Sequence, residues 1–271
     1  MTLRFSPALQ NFIATQGSWK NFMDNGSIEI YTGSQPATPN LAVTGTLLVT
    51  ITSSAGTKTN EVAATGVLTI SGTTSGSVDT CTLMGIDILG GAITHTGDNN
   101  TMATAVALKI NRNPANTVCV ASSTGASGVI TLTALPGAGT TLNSGALTIT
   151  STTTTTAVTS TTFGSGTGGS VVGVAAANGL KLDYNAAAGV FTKDTTQTWS
   201  GTAVGAGTQT AGWFRYKSSV VDAGALDSSA VFLRMDGVIA TSGADMNMSS
   251  TSITNGALQT ISTFQFTIPA A

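Results

Sequence analysis

The stretch Ser27-Ile28-Glu29-Ile30-Tyr31 alternates apolar with polar side chains, and the turn residues Gly33-Ser34-Gln35-Pro36 follow it. A period of two sends successive side chains to opposite faces of an extended backbone, so this stretch predicts a half-buried β-strand closed by a turn. Downstream, Leu47 to Ile51 predicts a second strand, apolar enough at Leu47-Leu48-Val49 to be covered on both faces. Upstream the period changes. Ser6 suits a helix cap, Pro7 suits the first helical position, and Leu9, Phe12 and Ile13 share one face before Gly17. A short helical turn is expected through Trp19, Phe22 and Met23, closed by Asn25-Gly26.

The far end of the chain returns to strands and turns. Leu180, Leu182 and Tyr184 alternate, and Trp199, Trp213-Phe214, Val231 to Met235, Met246 with Met248, and Phe264 to Ile268 mark further extended runs. Their spacing is that of a sandwich or barrel. The middle has a different texture. Val67 to Ile70, Cys81 to Ile88, Val118 to Val120, Val129 to Thr133 and Ala146 to Ile149 predict strands. Thr101 to Asn113 predicts a helix, with Met102, Val106 and Ile110 four residues apart and Pro114 ending it. Ser151 to Gly169, a Thr tract running into a Gly-rich run, reads as a return linker. All three Trp residues lie outside the middle section. The expected fold class is therefore mainly β: a discontinuous β-sandwich or jelly-roll-like domain of residues 1–56 plus 165–271, with a small α+β domain, 57–164, inserted in it.

Charged residues make up only 8 % of the 271, far below the roughly one quarter of an ordinary soluble domain. Hydrophobic residues reach 41 %, which excludes a disordered chain. The net charge is −2 and no basic run occurs, so nucleic acid is not an expected partner. No apolar stretch approaches a membrane span, and Met1 to Gln16 lacks the apolar core of a signal peptide, so a soluble protein made in a cytoplasm is expected. Cys81 and Cys119 are too few for a disulfide framework or a zinc site. Two small buried side chains are the expected reading, and spacing alone does not decide whether the two pair.

The chemical inventory is thin. His95, in Ile93-Thr94-His95-Thr96-Gly97, reads as a solvent-facing loop residue, and no nucleophile elbow accompanies it. Gly164, Gly166 and Gly169 match a dinucleotide-binding spacing formally, but no helix clearly follows them. Asp98-Asn99-Asn100 lacks the bidentate acid that would complete a calcium loop and reads as a turn and helix cap. Asp222, Asp227, Asp236 and Asp245 read as spread through loops, and three Asn-x-Ser/Thr sequons, beginning at Asn25, Asn99 and Asn247, read as chance. No catalytic residue, metal site or cofactor is expected, and the chain does not read as an enzyme.

Two groups of segments resemble tailed-phage structural proteins. The first runs through Leu9-Gln10-Asn11-Phe12, Gly17-Ser18-Trp19-Lys20 and Gly26 to Ala37, and returns in Ala211-Gly212-Trp213-Phe214-Arg215, Leu233-Arg234-Met235-Asp236-Gly237 and Ser242 to Met248. The second, Thr65 to Gly72, Ala103 to Asn113 and Gly128 to Ala134 with Pro136-Gly137, resembles a small domain common in phage tail and surface proteins. It departs from that domain in the more aliphatic strand after Cys81. The resemblance implies a virion protein assembled in the host cytoplasm, with the major capsid protein or other virion proteins and further copies of itself as partners. A surface poor in charge suits a lattice, because small uncharged faces pack without desolvating ions. A capsid decoration (cement) protein is the leading expectation, and a tail, neck or fibre component the next. The aromatic residues Phe5, Phe12, Trp19 and Phe22 are candidate docking contacts, although a helix packed on its own sandwich explains them somewhat better. A third reading, a carbohydrate-binding adhesion module, would use Trp199, Trp213 and Tyr216 as a stacking platform.

Overall fold

The computed structural model describes residues 3–15, 17–72, 75–123, 127–138, 140–152, 156–160, 163, 175–183 and 189–267. The run Gly164 to Gly169 and residues Tyr184 and Ile268 lie outside them. In chain order the elements begin with β1 (Arg4–Phe5), α1 (Pro7–Thr15), α2 (Trp19–Met23), β2 (Ser27–Thr32) and β3 (Leu47–Ser53). There follow β4 (Thr65–Gly72), β5 (Ser77–Leu83), β6 (Ile86–Asp87), β7 (Ile93–Thr94), α3 (Asn99–Arg112), β8 (Cys119–Ser123), β9 (Val129–Ala134), β10 (Leu147–Thr152) and β11 (Thr156–Ser160). The rest is β12 (Val190–Thr192), β13 (Trp199–Thr202), β14 (Thr208–Lys217), β15 (Arg234–Ala240), β16 (Met246–Asn247), β17 (Ser252–Thr254), β18 (Leu258–Ile261) and β19 (Gln265–Thr267). The protein is mainly β, as the alternating segments predict.

The chain divides into two compact units. Unit 1 is Met1–Ile13, Ser18–Asn60 and Ala176–Ala271, and unit 2 is Ala14–Gly17 and Glu61–Ala175. Unit 1 is built on a nine-stranded sheet with the path β1-β15-β14-β2-β3-β13-β18; β16 joins β15 in the sheet's one parallel pairing, and β17 extends β14. A separate ribbon pairs β12 with β19. The helical segments form where capping chemistry allows. The N–H of Leu9 donates to the Ser6 hydroxyl at 3.1 Å, and that of Asn21 to the Ser18 hydroxyl at 3.1 Å. Each bond satisfies an N–H that the first helical turn would otherwise leave open.

One face of the unit 1 sheet is apolar. Ile28, Ile30, Val49, Ile51, Phe214, Tyr216 and Met235 are all buried, and the registers Ile28↔Ile51, Ile28↔Tyr216 and Tyr216↔Met235 put them side by side. The pairing of β14 with β2 slips between Ala211 and Trp213. A Cβ on the intervening Gly212 would stand 1.9 Å from the carbonyl oxygen of Gly33, so only glycine lets the two backbones approach there.

Unit 2 holds two four-stranded sheets, β10-β5-β6 with β7 on β5, and β11-β4-β9-β8. β4 and β9 alternate buried and half-buried residues, and Leu68, Ile70, Ile130 and Leu132 join one apolar core with Met102, Val106 and Ile110 of α3. Removing such side chains from water supplies roughly 1.5–3 kcal/mol each. Asp98 caps α3, accepting the N–H of Thr101 at 2.8 Å, so the helix starts two residues earlier than its apolar period suggests. The Thr tract is not wholly a linker: Thr156–Ser160 pairs antiparallel with β4 from Thr156↔Gly72 to Ser160↔Leu68. β-branched Thr favours extended backbone, and β4 offers the edge that turns this preference into a ladder. Cys81 and Cys119 are free, wholly buried thiols, each pushed by burial up to about 12. His95 is also buried, contrary to its loop-like sequence, and its main-chain N–H donates to Gly76 at 2.8 Å.

Candidate functional site

The second face of the unit 1 sheet carries charge, and it is covered. Antiparallel pairing lines up one row of side chains across four strands: Glu29 on β2 faces Arg215 on β14, Arg215 faces Asp236 on β15, and Asp236 faces Arg4 on β1. The signs alternate along the row. Arg215 and Asp236 are fully buried and form a bidentate pair, Nε to Oδ1 and Nη2 to Oδ2, both at 2.7 Å. Both donors of the guanidinium fork are thus matched to both carboxylate oxygens.

A second row lies one pleat away. Arg234 of β15 is directly opposite Lys217 of β14. Arg234 grips Asp222 in the same bidentate way, at 2.7 and 2.6 Å, while Lys217 bonds Glu29 at 2.6 Å and the main-chain oxygen of Asp222 at 3.0 Å. Tyr31 donates its hydroxyl to Glu29. Burial pushes the Tyr31 phenol well up, and the adjacent Glu29 charge adds to that, so Tyr31 stays a donor. Burial is also the largest influence on the two aspartates. It holds Asp236 above the ordinary carboxylate range despite Arg215. At Asp222 the bonds from Arg234 and from the Gly224 N–H outweigh it, and the carboxyl sits below that range.

The remaining guanidinium protons go to loop backbone. Arg215 donates to the carbonyl of Leu41 at 3.2 Å, and Arg234 donates to Pro39 at 3.0 Å and Ala225 at 2.9 Å. Arg4 donates to Pro36. The segments 33–46 and 218–233 therefore lie over the charged face and are tied to it. A buried carbonyl without a partner is costly, and these arginines are the partners.

An open groove of about 460 Å³ adjoins this network, floored by Glu29, Thr50 and Thr52 and walled by Gly56, Lys58 and Val220. A second cleft, of about 630 Å³, opens on the apolar face over Ile30, Ile51 and Phe214, with Met246, Ser250 and Gln259 among its walls. Among the described residues, no cluster of three or more His, Cys, Asp or Glu side chains is arranged to hold a metal ion. No described helix is long and apolar enough to cross a membrane.

The aromatic candidates are placed differently from the sequence expectation. Trp199, Trp213 and Tyr216 are wholly buried, so they offer no platform to a sugar. They also point apart. Trp213 and Tyr216 are three residues apart on one strand and so face opposite sides of the sheet. Trp213 stacks on Tyr31 at 4.6 Å beside Arg215, while Tyr216 packs with Phe22 and Phe264 and donates its hydroxyl to the Met23 carbonyl at 2.5 Å. Trp199 joins the latter side against Phe264.

The four docking candidates are mostly turned inward as well. Phe12 and Phe22 are buried and cannot serve as anchors. Phe5 and Trp19 are half-buried and rest on each other edge-to-face at 5.2 Å. The helix packed on its own sheet is the arrangement that explains them.

The residues that organise this region, Glu29, Arg215, Lys217, Asp222, Arg234 and Asp236, are not evident from composition. Their signal is Arg215-x-Lys217 and Arg234-x-Asp236, charge at a period of two inside otherwise buried strands. Asp236 is accordingly a strand residue and not one of the loop acids.

No family model matches the chain, and comparisons with curated proteins and with solved structures find no match.

Proposed function

We propose that this chain is a structural protein of a tailed-phage virion, and within that class a decoration (cement) protein that binds the major capsid protein on the outer face of the shell. The observation that carries the reading is the direction of the charges in unit 1. Arg215, Lys217, Asp227, Arg234 and Asp236 are all buried: the pairs Arg215–Asp236 and Lys217–Glu29 join strands, Arg234–Asp222 and the arginine bonds to loop carbonyls hold loops onto the sheet, and Asp227 binds main-chain N–H groups of its own loop. Among the described residues of unit 1 the exposed positions are mostly Thr, Ser, Gly and Ala with some aliphatic side chains, and Lys181 is their one charge, a surface suited to close packing with little ion desolvation. Rigidity comes from the sheet and its ion rows, and the work of the subunit is contact rather than catalysis. Ala211 to Arg215 and Leu233 to Gly237, which carry part of the resemblance to phage structural proteins, are the same segments that hold the ion rows.

Quantitative mass spectrometry of purified particles tests the proposal. A decoration protein is present at a copy number matching the capsid lattice. A far lower number assigns the chain to a tail, neck or fibre instead, and absence from particles overturns the virion reading.

A further inference from the structure

The sheet edges of this protein are not closed alike. In unit 2 the outer edge of β8 is closed by a side chain. The Asn111 amide of α3 donates to the Ala121 carbonyl and accepts the Ala121 N–H, both at 2.8 Å, as a neighbouring strand would. At one end of the unit 1 sheet, β1 is only two residues long, carries Arg4 and is followed by α1. Short length, charge and cover by a helix are devices that keep a sheet edge from pairing with foreign backbone. β18, at the other end of the same sheet, has neither charge nor cover. Among the described residues it pairs with β13 alone, and no other main-chain bond reaches Leu258 to Ile261. From Met246 to Thr267 the sequence has no charged residue and no proline.

The edge and the cleft beside it select an occupant together. A row of outward N–H and C=O groups is matched in register only by an extended backbone. Gln259 and Ile261 lie opposite Gly201 and Trp199, so they point to the side of the sheet on which Trp199 meets Phe264. Both also line the cleft of about 630 Å³ over Ile30, Ile51 and Phe214. A strand laid along β18 sets every second side chain on the cleft side. The one charge lining the cleft is Asp245, whose carboxylate accepts the Val238 N–H at 3.0 Å, so the cleft suits apolar side chains. A second copy's β18 would match the ladder but not the cleft, because its Gln259 and Ile261 stay against its own sheet. A free extended segment matches both. We propose that the outer edge of β18 is a strand-addition site, which takes an extended segment of a partner polypeptide with apolar side chains at every second position. This inference stands apart from the virion reading, which particle composition tests separately.

Fluorescence anisotropy with the full chain tests it. The probes are labelled, end-capped heptapeptides with Thr at the odd positions and Val, Leu, Ile, Met or Phe at the even ones. At least one should bind with a Kd below about 100 μM. N-methylating either its Thr residues or its apolar residues blocks one edge of the probe. One of these two forms should bind at least about tenfold more weakly and the other about as well as the parent, because an added strand uses a single edge. Gln259→Lys, which sets an ammonium beside the probe's apolar side chains, should also weaken binding at least about tenfold, while Val221→Asp, on an exposed loop, leaves it unchanged. Circular dichroism checks that each variant is folded, and Gln259→Glu takes the place of the lysine variant if that one unfolds. The proposal is overturned if no probe binds up to about 1 mM, or if binding ignores both N-methylated forms or the Gln259 substitution. Sedimentation that shows a dimer dissociated by Gln259→Lys, with no probe bound, gives the edge to a second copy and overturns it too.

Discussion

Lys217 and Arg234 stand directly opposite each other on neighbouring strands of the unit 1 sheet, two cations in register at a buried position. Like charges so placed repel, and the arrangement holds because each has its own anion: Glu29 for Lys217 and Asp222 for Arg234. Asp222 serves both, with its carboxylate on Arg234 and its main-chain oxygen on Lys217. The pairing ties the 218–233 loop to the ends of the two strands it joins, β14 and β15, and through Glu29 to β2, distant in the chain. It also penalises any slip in register, since a one-residue shift would turn these side chains to the apolar face.

Breaking the fully buried Arg215–Asp236 pair on one side only should be severe. Arg215→Ala leaves the Asp236 carboxylate without its partner and the Leu41 carbonyl without a donor, for an expected loss of about 3–5 kcal/mol in urea unfolding. Arg215→Lys should recover only part of it, because an ammonium cannot reproduce the fork. Replacing both partners together, as Arg215→Met with Asp236→Leu, should cost less than the single change to Ala.

Asp222 sets part of the acid limb of stability. Its folded pKa lies below the unfolded value of about 4, so its contribution is fully present above that pH and is lost as pH falls through the folded value. Asp236 works in the opposite sense, because its raised pKa makes the ionised form a burden that fades on acidification. Asp222→Asn should therefore flatten the loss of stability below about pH 4, measured by thermal melts across a pH series. An unchanged acid limb would remove Asp222 from this role.

The two thiols should be silent in the native protein. Burial holds Cys81 and Cys119 up to about 12, and the thiolate is the reactive species. At pH 8 a chromogenic disulfide reagent should titrate neither in the folded chain and both after guanidinium unfolding. Rapid native labelling of either would contradict the burial.

In unit 2, α3 offers an internal comparison. Ile110 is wholly buried in the core, while Leu108 is 48 % exposed. Ile110→Ala should destabilise by about 2–5 kcal/mol and Leu108→Ala by far less, read from chemical denaturation.

Gly212→Ala should damage unit 1 although it adds one methyl group. The new Cβ would meet the Gly33 carbonyl oxygen at 1.9 Å, so β14 or β2 must shift at the point where their register slips. A loss of about 1–3 kcal/mol is expected, typical of overpacking against backbone that cannot yield easily. A neutral outcome in thermal melts would show that the two strands can separate there.

Much of the local structure was legible because it depends on neighbours in sequence. Ser6 and Pro7 announce α1, Ser27 to Tyr31 announces β2, and Met102, Val106 and Ile110 announce the buried face of α3. The Thr tract was harder, since Thr156 to Ser160 becomes a strand only beside β4. The aromatic residues misled for a related reason: Trp199, Trp213 and Tyr216 look like one group by type, yet their position on the pleat sends them to opposite faces and into the interior.

By itself the sequence determined a mainly β protein with one strong internal helix, short caps and a low charge content, because period and capping act over a few residues. Only the tertiary structure decided that these few charges converge. Glu29, Arg215 and Asp236 lie up to about two hundred residues apart in the chain and meet because antiparallel register places them on one row. Register is set by packing one whole face of the sheet, a long-range condition that no window of sequence contains.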